Sequence, residues 1–266
     1  ELSVTSNLCP PKQELFDKFV ASVKKLEEIQ IWNDPEKFNP NSGNYSYVAP
    51  AIKHFSLFVS CDSYGKQAEY IRTGMDFELL DRNVREFLRN TDGTNITFIN
   101  TFNILSVPKL KQFLEWILEL RKEFGSELQE EKIIAVDGHP SVVRKKRQRI
   151  WFDIPILHTP TWLNIKMLAG TEMEEVMEEC LEFMRANLDT SDNVWPAALC
   201  FEGFRQYEID KVQRDLDIMR SGQRKHELDV DMVRFGQYVD ELDRRRGTNF
   251  KETFPELIDF YERCKK

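Results

Sequence analysis

Strand-like and helical runs alternate through the first part of this sequence, and that order restricts the fold more than any other feature. ELSVTSN (1–7) reads as a strand. Pro11 to Gln30 then sets Leu15, Phe16, Phe19, Val20, Val23 and Leu26 at helical spacing, with a proline at the start, where its missing N–H does no harm. HFSLFVSCD (54–62) is a short apolar run suited to a buried strand. Helical stretches over Gly65–Gly74 and Phe77–Leu88 follow it. NITFINTFNI (95–104) is β-branched and aromatic, so it is read as a third strand. Ser106 and Pro108 open a helix that runs through Phe124. RIWFDIPIL (149–157) is the fourth strand candidate, stopped by Pro155 and the HTP that follows.

From about residue 170 the character changes. Helical patterns cover 171–188, 206–220, 228–245 and 255–264, and no clear strand interrupts them. Strands separated by helices of this length favour right-handed crossovers and a parallel sheet. Four strands are too few for a closed barrel of about eight. The expected fold is α/β: an open or partial barrel with missing leading strands over residues 1–169, followed by a helical region over 170–266. Residues 31–51, rich in Pro, Asn, Ser and Gly, read as a long irregular loop. Residues 125–148 are mixed and polar.

Charge and motifs remove several function classes. The net charge is −8, with 37 basic against 45 acidic residues, which argues against a general nucleic-acid binder. No apolar run approaches the roughly 18 residues of a membrane span. The five cysteines, Cys9, Cys61, Cys180, Cys200 and Cys264, are scattered without a CxxC pair and read as reduced cytoplasmic thiols. The four histidines, His54, His139, His158 and His226, lack HxxxH and HExxH spacing, so zinc chemistry loses its support. GxSxG, Walker and GxGxxG motifs are absent. The basic run Arg144 to Arg149 reads as a solvated loop before a strand. The chain starts at Glu1 inside a strand and has its first methionine at Met75, so it is expected to be an incomplete piece of a longer protein.

In parallel α/β sheets, ligands collect at the carboxyl ends of the strands. The residues there are Thr5, Ser6 and Asn7 after the first strand, and Ser60, Cys61 and Asp62 after the second. Thr101 and Asn103 close the third, and Leu157 and His158 the fourth. Arg72 follows the second strand on a helix and suits a bidentate contact to a carboxylate.

Several stretches, in order, resemble one family. FVSCDSYG (58–65) with EYIR (69–72) resembles a strand bearing Ser-x-Asp-Gly and its following helix. Glu1 to Asn7 resembles the strand before it, and FINTFNILSVP (98–108) the strand after. FDIPILHTPTWLNIKML (152–168) resembles the next strand and its exit. LDRRRGTNF (242–250) with TFPEL (253–257) resembles a C-terminal signature. The set resembles radical S-adenosylmethionine (SAM) proteins with a twitch-type region.

The resemblance implies an incomplete (β/α)6 partial TIM-type barrel, made of its later strands, that binds SAM, and a [4Fe–4S] cluster held by CxxxCxxC, which generates a 5′-deoxyadenosyl radical for C–H activation of a peptide or small molecule. Both that cysteine motif and the family's Gly-Gly-Glu are missing here, so the cluster's ligands are expected outside this chain, and the chain alone is expected to be inactive. The cofactor-binding residues it implies are Asn7, Ser60, Asp62, Arg72, Thr101, Asn103, Leu157 and His158. Among them, Ser60 and Asp62 face SAM and Arg72 pairs with its carboxylate, while Leu157 and His158 lie near the adenine. A flavodoxin or ferredoxin would supply electrons to the full-length enzyme; neither nucleic acid nor membrane is an expected partner. The alternative is a cluster-less binding or scaffold protein derived from the same fold. A third reading is an unrelated α/β enzyme using Asp62, His158 and Arg72.

Overall fold

Apolar residues at every second position give the central strands one face to bury. The computed structural model describes residues 2–28, 30–32, 48–50, 55–91, 94–124, 128–134, 140–146, 148–190 and 201–266. Strands β1 (Leu2–Ser6), β4 (Phe55–Ser60), β5 (Thr94–Ile99) and β8 (Ile150–Asp153) form one four-stranded sheet in the order β1-β4-β5-β8. Every pairing in it is parallel. Each connection steps to the next position in the same direction, so the strand order never reverses.

All the covering helices named here lie on one face. Phe55, Leu57 and Val59 of β4, Ile96 and Phe98 of β5, and Ile150 and Phe152 of β8 are buried on that side. Against them pack α1 (Gln13–Glu28), α3 (Phe77–Asn90) and α4 (Leu110–Phe124). Phe19 of α1 and Phe87 of α3 meet Phe55, while Phe113 and Trp116 of α4 meet Phe98. The opposite face carries Ser56, Phe58 and Ser60, then Asn95, Thr97 and Ile99, then Trp151 and Asp153, all partly exposed. Register sets Phe58, Thr97 and Trp151 in one row across β4, β5 and β8, and Ser60, Ile99 and Asp153 in the next.

Local chemistry sets the helix limits. Asp76 caps α3 by accepting from Leu79 N at 2.9 Å, a contact worth about 1 kcal/mol. The seven-residue α2 (Gly65–Ile71) precedes α3. Beyond β8 come α5 (Met173–Ala186), α6 (Gln206–Ser221) and α7 (Lys225–Arg246), then α8 (Phe250–Thr253) and α9 (Ile258–Cys264). Gly247 ends α7 in the left-handed conformation at φ +65, where a Cβ would be strained. One hydrophobic core runs from Leu8 to Cys264. No helix among the described residues is long and apolar enough to cross a membrane.

Three local expectations need correction. The segment 31–51 is not wholly irregular: β2 (Gln30–Trp32) pairs antiparallel with β3 (Val48–Pro50), and residues 33–47 lie outside the described residues. The polar stretch 125–148 contains an antiparallel pair, β6 (Leu128–Ile134) with β7 (Pro140–Lys146). The basic run before β8 is not a solvated loop. Its first residues belong to β7, and Arg149 is buried, donating to the carbonyls of Leu88, Thr91 and Thr94 at 2.6–3.0 Å. Those carbonyls at the α3–β5 connection supply the acceptors that a buried guanidinium needs.

Candidate functional site

At the carboxyl ends of β4 and β5 the ladder continues past the last strand residues, because Cys61 N donates to Ile99 O at 3.0 Å and Asn100 N to Asp153 O at 2.9 Å. This extension fixes the backbone that carries Asp62 and Thr101. Asp62 is buried, with 5% of its surface exposed, and it needs partners for its charge. It has them: Oδ1 accepts from Thr101 N at 2.7 Å and from Arg72 Nη2 at 3.2 Å, and Oδ2 lies 2.6 Å from Arg72 Nε. One carboxylate thus ties together the ends of two adjacent strands and the end of α2.

Arg72 keeps a third of its side chain exposed; its Nη2 makes the hydrogen bond to Asp62, its buried Nε only an ionic contact, and its Nη1 neither among the described residues. Its backbone N closes α2 by donating to Ala68 O at 3.0 Å. The guanidinium therefore sits at the rim with one side neutralised by Asp62 and one nitrogen still able to donate to an anion. Ser60, half-buried on the uncovered face, and the Thr101 hydroxyl make no side-chain hydrogen bond among the described residues.

Other residues singled out from the sequence serve the chain itself. Asn103 donates to Thr101 O at 2.7 Å and accepts from Leu105 N at 2.9 Å, so its amide is consumed by its own turn. Asn7 is exposed and its Oδ1 accepts from Cys9 N at 3.1 Å. Leu157 pairs through its backbone, with its N donating to Phe102 O and its O accepting from Asn164 Nδ2. His158 is exposed just before the cis Thr159–Pro160 bond. The structure brings Asp62, Arg72 and Thr101 into direct contact, with Ser60 beside them in sequence.

Two features at this rim escaped the sequence reading. Asn100 is fully buried with both amide atoms unpartnered, and the buried Ser63 Oγ and Gln67 Oε1 are unpartnered as well. Buried polar groups are nearly always paired, and such orphans also occur away from the rim, at Gln112, Trp162 and Gln223. Strand alternation gives no warning of this, because Asn100 lies one residue past β5. The second feature is Lys211 of α6, whose Nζ lies 2.8 Å from Asp153 Oδ1 at the end of β8. One helical turn on, Asp215 is fully buried, and burial raises its carboxyl from 3.8 to about 6. Nothing in the local sequence of α6 links either residue to a strand end.

The thiols do not suit an iron–sulfur cluster. Cys61, Cys180 and Cys264 are buried in the core and Cys9 is partly exposed, and no group of three His, Cys, Asp or Glu able to hold a metal occurs among the described residues. Burial, and then the Asp62 charge, pushes the Cys61 thiol up to about 12, so it is a packed, protonated thiol in this fold. Cys200 lies outside the described residues. The chain matches no family model, no curated protein and no solved structure.

Proposed function

We propose that this chain is the SAM- and substrate-side part of a radical SAM enzyme, its sheet forming one arc of a partial barrel. The observation that carries this reading is the Asp62–Arg72–Thr101 knot at the carboxyl ends of adjacent parallel strands, beside Ser60. Ligand sites on parallel α/β sheets sit at that end. The unreversed strand order, with helices on one face and a partly exposed opposite face, is the pattern of a barrel wall.

On this reading Arg72 donates from Nη1 to the SAM carboxylate while Asp62 holds the guanidinium in place. Ser60 and Thr101 offer hydroxyls to the ligand's polar groups. Bound SAM would supply the adenosyl radical used for C–H activation of a peptide or small molecule. The described residues do not fit the [4Fe–4S] cluster; on this reading the cluster and its electron donor, a flavodoxin or ferredoxin, act in a full-length cytoplasmic enzyme. This chain contributes binding and orientation.

Backbone amide NMR with SAM as the titrant tests the assignment. Shifts concentrated at Ser60, Asp62, Arg72 and Thr101 support it. Shifts confined to other parts of the chain, or none at saturating ligand, remove it.

A further inference from the structure

The C-terminal signature LDRRRGTNF has no place in the rim itself, yet its residues grip the helix that delivers Arg72. Asp243, near the end of α7, accepts three hydrogen bonds: from Tyr70 Oη at 3.0 Å, from Thr248 Oγ1 at 2.7 Å and from Phe250 N at 2.8 Å. Tyr70 lies 173 positions away in sequence and is buried, with 4% exposed. Arg246 Nη1 donates to the carbonyl of Tyr70 at 2.9 Å, so backbone and side chain of this residue are held together. The Tyr70 ring packs edge-on against Phe250 and Phe254, with centroids 6.1 and 5.1 Å away.

The rest of α2 is held by the same region. Gln67 Nε2 donates to Thr253 O at 3.1 Å and to Glu256 Oε2 at 3.0 Å, and Lys109 pairs with Glu256 at 2.7 Å. The buried face of this seven-residue helix is Gln67, Ala68 and Tyr70. A helix this short has little stability of its own. Its orientation is therefore set by residues 243–256 on one side and by the Arg72–Asp62 contact on the other.

We propose that Asp243 is a positioning residue, fixing Arg72 against Asp62 through Tyr70, so that the C-terminal helices complete the rim site. The path is continuous: Asp243 to Tyr70, two residues along α2 to Arg72, then Asp62 and Thr101 N. This rests on the reading of the rim as a ligand site, but the geometry it asserts is measurable without any ligand. Asp243 acts through another residue and touches no ligand itself.

The experiment follows the Arg72 guanidinium Nη2 signal by NMR in the wild-type chain, in Tyr70→Phe and in Asp243→Asn. Arg121 Nε–H, which donates to Ile150 O in the core, serves as the internal reference. Tyr70→Phe removes one hydroxyl and keeps the ring, and so decides the matter even where Asp243→Asn fails to fold. The expected result is exchange of the Arg72 Nη2 protons, which donate to Asp62 Oδ1, accelerated about tenfold, the scale of one lost hydrogen bond, with Arg121 unchanged. A lowered melting temperature with the Arg72 signal unmoved overturns the proposal and leaves a purely structural clamp. A parallel titration with SAM separates the two claims. Absence of SAM binding refutes the rim as a SAM site, while the Arg72 signal still decides the positioning role.

Discussion

Arg121 of α4 and Glu208 of α6 form an ion pair from which solvent is excluded, with 0% and 1% of their side chains exposed and 2.7 Å between Nη2 and Oε1. The guanidinium also donates to Ile150 O and Gly203 O and lies 5.1–5.6 Å from the ring centres of Phe152, Phe201 and Phe204. It fastens α4, the end strand β8 and α6 at one point. Removing one partner strands the other charge, so Glu208→Gln is expected to cost about 3–5 kcal/mol. Urea unfolding measures this. A double-mutant cycle with Arg121→Met should return a coupling of about 2 kcal/mol, because the two residues act as a unit.

Asp215 gives the fold an unusual pH dependence. Burial raises its carboxyl from 3.8 to about 6, against the lowering effect of Arg214, with Asp153 and Lys211 also facing it. The folded state therefore binds this proton more tightly than the unfolded state between about pH 4 and 6. The contribution of Asp215 to stability is best at low pH and falls as pH rises through that window, by on the order of 3 kcal/mol in total. Wild type and Asp215→Asn, compared by urea unfolding across that range, should diverge in this sense, with the variant gaining most above pH 6.

Thiol reactivity should follow burial. Cys61, Cys180 and Cys264 are all pushed up to about 12 by desolvation, while Cys9 is raised but remains partly exposed. In a Cys200→Ser background, Cys9 is expected to react first with a disulfide reagent. The other three should stay protected until the chain unfolds. Mass spectrometry of the labelled peptides gives the order directly.

The four sheet strands were legible because their apolar residues sit at every second position and are flanked by helical periodicity. Phe55, Leu57 and Val59 all face the core as that alternation requires. The pair β6/β7 was not legible, since LQEEKII and PSVVRKK mix charge with apolar residues and show no single buried face in sequence. Arg149 was hidden inside a run of basic residues, and only the folded chain brings the carbonyls of Leu88, Thr91 and Thr94 to it. At the site, Asp62, Arg72 and Thr101 converge as strand-end chemistry suggests. Asn103 looked equivalent to them, but an asparagine two residues before a free backbone N–H folds onto that N–H instead. Lys211 and the Tyr70–Asp243 contact depend on long-range packing, which leaves no trace in local spacing.

Calorimetric titration of SAM into the wild-type chain and into Arg72→Met tests the rim as a SAM site. Saturable binding at one site is expected for the wild-type chain, weakened about tenfold or more in the variant by the loss of the charge-assisted hydrogen bond. The part-buried Trp116 indole contact to Asp81, at 2.6 Å between α4 and α3, should report an unchanged fold in the variant. No binding by the wild-type chain, or equal binding by both proteins, would contradict that assignment.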